Sequence, residues 1–352
     1  MGNLKPAYRI DRDYYYNYDQ GPFFEGEFVE SLPKSPVEIF GGIIDYPIGV
    51  PAGLLLNGRW VELYAKLGFC LLVYKTVRSR PHPCHPFPNC LFVKADMFDP
   101  ERIPEVITVS DSPYPDEKRV TITNSFGMPS ASPEEWQEDM ERTKARLPEG
   151  AMLVGSGVGT YEGTSWELVR DFVRVASMLR EVGVAAIELN FSCPNVGKGE
   201  GAIYRDPEFS AEILAAVRKA VRDVPLVVKI GLLLGRELEE FVSKCAFFLE
   251  GISGLNSIQM RVVDEFGRPA LGEGRERSGV CGWALGRCSE VFVRQLAELR
   301  EKLKADFSIL ACGGVVDRES FLRLKEAGAD VVMSCTGAMF NPYLAKEVRS
   351  LG

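Results

Sequence analysis

The sequence predicts a (β/α)8 barrel, the TIM-barrel architecture, built as one domain over residues 36–352 behind an extended N-terminal arm, 1–35. Two observations carry that expectation. First, apolar runs alternate with helical patterns from residue 48 onward, at 48–52, 70–75, 151–155, 185–189, 226–230, 252–256, 307–311 and 331–334. Parallel strands need helical crossovers, so this alternation implies a parallel sheet. Second, most of these runs end in small or polar residues, and the C-terminal strand ends are where a barrel keeps its chemistry. An open doubly wound sheet is the alternative. A nucleotide fold of that kind sets its glycine-rich turn after the first strand, whereas here such turns come late.

Several helices announce their ends. Ser132-Pro133-Glu134-Glu135 is a capping box with proline at the first helical position, followed by Trp136, Met140 and Leu147 on one face. Asp206-Pro207 opens a second helix, and Gly183 and Gly328 close two more. A ninth apolar run, 120–123, has no helix between it and the second strand, so it is read as part of a long loop. The arm holds Tyr8, Tyr14, Tyr15, Tyr16, Tyr18, Phe23, Phe24 and Phe28 without a helical period. So many aromatics are unusual for a disordered tail, and an extended segment laid over the main domain or a neighbouring subunit is expected. A docking surface for an electron-transfer partner is its functional alternative.

Composition excludes several classes. With 352 residues, 46% hydrophobic and 26% charged, the chain has the make-up of a soluble globular protein. A net charge of −8 argues against nucleic-acid or anionic-membrane partners, which favour basic surfaces. The nine cysteines show no paired spacing and suit reduced thiols in a cytoplasmic protein better than a disulfide framework. No apolar run approaches the ~20 residues of a membrane span, and no secretory signal pattern opens the chain. His82, Cys84, His85 and Cys90 have metal-binding types, but their spacing matches no common zinc module, so no metal is expected. No C-x-x-C suggests an iron–sulfur cluster.

The strand ends carry the chemistry. The first ends Pro51-Ala52-Gly53, small enough for a flat ring to approach the backbone; the second ends Tyr74-Lys75-Thr76. The loop after it contains Asn124-Ser125-Phe126-Gly127-Met128-Pro129. The fourth ends in Asn190-Phe191-Ser192-Cys193-Pro194-Asn195, the fifth in Lys229-Ile230 and the sixth in Asn256-Ser257. A lone lysine closing a strand is more often a solvated end. Two lysines and several asparagines at strand ends imply one polar ligand, because amides that donate and accept suit a ring bearing N–H and C=O groups. Glu188, two residues before Asn190, is expected to face the barrel interior and serve structure. Gly313-Gly314 and Thr336-Gly337 follow the last two strands and precede helices, the usual phosphate site of this fold.

These residues resemble the dihydroorotate dehydrogenases, the FMN-containing barrels of pyrimidine biosynthesis, and the soluble, cysteine-using branch in particular. The resemblance runs from about residue 35 to the C-terminus, and Asn190 to Asn195 is its most specific match. It implies a flavoprotein oxidoreductase that oxidises a dihydropyrimidine, with Cys193 as base and Lys229 beside the flavin. It places Lys75, Asn124, Gly127, Met128, Asn190, Asn195, Asn256 and Ser257 on the substrate. Ala52, Gly53, Lys75, Thr76, Asn190, Lys229, Ser278, Gly279, Gly313, Gly314, Thr336 and Gly337 are the implied FMN positions. A homodimer and an electron-transfer partner protein are further implications. The chain departs from the family after Asn195, at Ser130 and at Leu55-Leu56, all around the lid over the substrate. A dihydropyrimidine dehydrogenase-like reductase, a tRNA dihydrouridine synthase and a non-enzymatic FMN-binding subunit are the other readings.

Overall fold

A computed structural model describes residues 6–28, 31–192 and 202–350. Eight parallel strands close a barrel: β1 (Ile48–Val50), β2 (Leu71–Val77), β3 (Met152–Gly157), β4 (Ala186–Asn190), β5 (Leu226–Lys229), β6 (Gly251–Gly254), β7 (Ser308–Cys312) and β8 (Val331–Met333). Neighbours follow chain order around the ring, and β8 pairs with β1 to complete it. Each coincides with a run expected from the sequence, with ends displaced by a few residues.

Alternation along the strands builds two cores. Leu71, Val73, Met152, Val154, Ala186, Val227, Leu310, Val331 and Met333 fill the barrel interior. A hairpin of Val37–Ile39 and Gly42–Ile44 adds Ile39 and Ile44 to that interior cluster. The opposite strand faces meet the helices in the larger core, where Phe172, Leu179, Ile213, Phe241, Phe292 and Leu296 are fully buried. The capping signals act as expected. Ser132 and Glu135 form the reciprocal box at the start of helix Pro133–Arg146, Asp206 caps Pro207–Ala220, and Gly183 takes a left-handed conformation after Ser165–Val182.

Two expectations need correction. The run at 120–123 is not loop: Thr121–Asn124 is a strand of a second, five-stranded closed sheet. Its partners are Cys90–Val93 and Val106–Ser110 from the same insertion after β2, and Ile258–Val263 and Arg277–Gly282 from an insertion after β6. The sheet joins segments far apart in sequence, so no local period announces it. The arm, for its part, is not wholly extended. Asp13 accepts a hydrogen bond from the Tyr16 amide at 2.7 Å and caps a helix, Tyr14–Gln20. Ala7, Tyr8 and Tyr14 are buried in the main core, and the Ala7 amide donates to the Met339 carbonyl at 3.0 Å. The arm thus lies over its own barrel.

Candidate active site

One cavity opens at the C-terminal ends of the strands, between the barrel and the second sheet. Its wall includes Ala52 and Gly53 after β1, Lys75 and Thr76 of β2, Asn190 of β4, Lys229 of β5, and Asn256 and Ser257 after β6. Gly313, Gly314, Thr336 and Gly337 line it from the turns after β7 and β8, and Asn124, Gly127 and Met128 from the insertion after β2. Strand register brings the polar groups together: Lys229 pairs with Asn190 on one side and with Ser253 on the other.

Its electrostatics run against those of the chain. Among the described residues that line the cavity there are two lysines and no carboxylate. Both lysines are buried, Lys75 at 8% exposure and Lys229 at 4%. The Lys229 ammonium donates to the Ala52 carbonyl across the barrel mouth at 3.1 Å. Lys75 donates to the carbonyls of Thr76 and Pro129, and its Nζ lies 5.6 Å from the centre of the Tyr14 ring, within cation–π range. Buried cations without facing carboxylates favour an anionic ligand, even in a protein of net charge −8.

The glycine turns have packing reasons as well as room for a ligand. Gly313 and Gly314 have φ of 107° and 77°, and a Cβ on Gly314 would meet the Gly286 Cα at 2.2 Å. Gly127 has φ of 73°, and a Cβ there would approach the His85 ring to 2.6 Å. Gly127→Ala is therefore expected to cost about 1–2 kcal/mol of stability, measured by urea unfolding. An unchanged midpoint would show that the loop yields at no cost.

Cys193 and Asn195 lie outside the described residues. Ser278 and Gly279 do not line the cavity. Ser278 Oγ hydrogen-bonds Thr123 at 2.6 Å, and the Gly279 carbonyl accepts from Asn124 Nδ2 at 3.4 Å, so the two stand behind Thr123 and Asn124. Cys281 and Gly282, further along the same strand, reach the cavity instead. Every other site residue expected from the sequence lines it. The sequence reading missed Tyr8 and Tyr14, which close the cavity from the arm, and the thiols of Cys90, Cys281, Cys312 and Cys335. Burial pushes Cys312 up to about 11 and Cys335 up to about 12, and it also raises Cys90 and Cys281. These four thiols stay protonated near neutral pH. Among the described residues, no three His, Cys, Asp or Glu side chains form a metal-holding group.

A barrel whose cavity sits at the C-terminal strand ends, walled by cations, amides and glycine turns, has the form of an enzyme's small-molecule site. Comparison with known proteins makes the class particular: the family model described as dihydroorotate dehydrogenase matches residues 111–350, and this chain belongs to that family. It is 34% identical to a dihydroorotate dehydrogenase of Dictyostelium discoideum, over 97% of this chain and 96% of that protein. It is 26% identical to a dihydroorotate dehydrogenase (quinone) of Delftia acidovorans, covering 93% and 88% of the two chains. The catalytic subunit of a dihydroorotate dehydrogenase B (NAD(+)) of Methanopyrus kandleri is 28% identical over 86% and 85%. No helix among the described residues is long and apolar enough to cross a membrane.

Proposed function

We propose that this chain oxidises dihydroorotate to orotate, with FMN as the bound cofactor and Cys193 as the general base. The cavity carries this reading: it joins two buried lysines to a set of amides and two glycine turns, with no described carboxylate in its wall. That donor set fits a flavin mononucleotide. The turns at 313–314 and 336–337 would hold its phosphate, Ala52 and Gly53 would lie against its ring, and Lys229 would set a cation beside it. When bound, the flavin supplies the acceptor for a hydride.

The protein's own part is binding, orientation and one proton. Oxidising the ring's CH–CH bond removes a proton from the carbon next to a carbonyl and a hydride from its neighbour. Cys193 takes that proton as a thiolate, which forms an S–H bond as the C–H bond breaks. Asn124, Asn190, Asn195 and Asn256 hold the ring's amide and carboxylate groups and fix the face it presents. Lys75 braces the loop at Pro129 over the substrate. The high pKa of the four described cavity thiols supports this assignment, because none supplies thiolate near neutral pH.

The test is direct. Denaturing the purified protein is expected to release a yellow compound that co-elutes with FMN, and dihydroorotate is expected to bleach the bound flavin as orotate forms. Release of FAD, or no flavin after reconstitution, would overturn the cofactor assignment. FMN-loaded protein that dihydroorotate leaves yellow would overturn the substrate.

A further inference from the structure

Beneath the cavity, Glu188 is fully buried in the barrel interior, on β4 between Ser156 of β3 and Val227 of β5. Its Oε1 accepts a hydrogen bond from Ser156 Oγ at 2.9 Å. Its Oε2 has no partner among the described residues. A buried polar atom left unpaired is destabilising, and an apolar side chain would avoid that cost. A carboxyl kept there calls for a task.

Following the protons supplies one. Ser156 spends its only hydroxyl proton on Glu188, so its oxygen accepts from Thr76 Oγ1, 3.0 Å away. Thr76, with its proton spent on Ser156, accepts from Asn190 Nδ2 at 3.5 Å, the outer edge of hydrogen-bond range. That turns Asn190 Oδ1 to the Ser192 amide at 3.1 Å and to Asn256 Nδ2 at 3.4 Å, which uses both its lone pairs. Among the described residues, the second Nδ2 hydrogen meets only the Met128 thioether at 3.5 Å, a weak acceptor that yields to an oxygen.

We infer that Glu188 is a positioning residue: through Ser156 and Thr76 it fixes the amide of Asn190 so that this side chain meets the substrate as a donor only. The ligand atom facing Asn190 is then a carbonyl or carboxylate oxygen, never an N–H. Without Glu188 the chain of hydroxyls has no fixed direction, and the Ser192 amide and Asn256 Nδ2 are left to set the orientation of the Asn190 amide without its support. The inference rests on the proposed place of Asn190 against the substrate.

A double-mutant cycle tests it. Orotate binding to FMN-loaded protein is measured by calorimetry for the parent, Ser156→Ala, Asn190→Ala and the double variant. Ser156→Ala is expected to weaken orotate roughly fivefold to tenfold, the worth of one well-placed hydrogen bond. In the Asn190→Ala background the same change is expected to do almost nothing. Glu188→Gln keeps the shape and is expected to show the same coupling at smaller amplitude, and it stands in should Ser156→Ala fail to fold. Equal losses in both backgrounds, or no loss in either, overturn the relay and leave the proposed function intact. A parent protein that holds FMN but binds no orotate overturns the proposed function and the relay with it.

Discussion

Cys193→Ala is expected to slow flavin reduction by dihydroorotate by roughly 10²–10⁴-fold, the usual worth of a positioned general base, while orotate still binds. Binding survives because the described part of the substrate wall, Asn124, Asn190 and Asn256, belongs to other positions. Cys193→Ser is expected to keep part of the activity, displaced to higher pH, because a hydroxyl gives up its proton far less readily than a thiol. Stopped-flow reduction of both variants between about pH 6 and pH 10 checks this, a range that spans the ordinary thiol pKa. The four described cavity thiols are too protonated to substitute. A Cys193→Ala protein that reduces its flavin at the parent rate would place the base elsewhere.

Removing the Lys229 ammonium is expected to slow flavin reduction by roughly 10²–10³-fold, since a preorganised cation beside developing charge is among the larger catalytic terms. Lys75→Ala is expected to lose less. The Lys75 ammonium is committed to two backbone carbonyls, Thr76 and Pro129, and to the Tyr14 ring, so its main work is to hold the loop over the cavity. Lys229 makes a single described hydrogen bond, to the Ala52 carbonyl, and sits in register with Asn190. Equal losses in stopped-flow reduction would refute this division of labour.

Much of this site could be read from the chain because barrel chemistry is collinear with barrel strands. An apolar run that breaks into Lys75-Thr76 or Asn190 states both the strand and its polar end, and the pairing of Lys229 with Asn190 shows two such ends side by side. The second sheet could not be read that way. Asn124 pairs with Gly279, and neither Thr121–Asn124 nor Arg277–Gly282 is long enough to advertise a period by itself. The family resemblance places Ser278 and Gly279 on the cofactor, whereas their place behind Thr123 and Asn124 depends on a pairing that local sequence does not encode. The arm failed for another reason. A helix reading Y-Y-Y-N-Y-D-Q buries Asn17 and exposes Tyr15 and Tyr16, so hydrophobicity does not mark its phase; tertiary contacts hold it, with Asn17 bonded to the Arg9 backbone and Tyr14 packed against Phe126. The contact of Tyr8 with the cavity is purely tertiary.

The two insertions that build the second sheet bear on how the chain is made and how it can be re-engineered. Strand Ile258–Val263 must pair with Val106–Ser110, and Arg277–Gly282 with Thr121–Asn124, before that sheet closes. A ribosome therefore delivers the first half of the roof, with Asn124, long before the half that fixes it. Grafting one insertion from a relative would strand its edges against a foreign partner. A chimera meant to alter substrate choice has to move residues 78–132 and 255–285 together, as a single cassette.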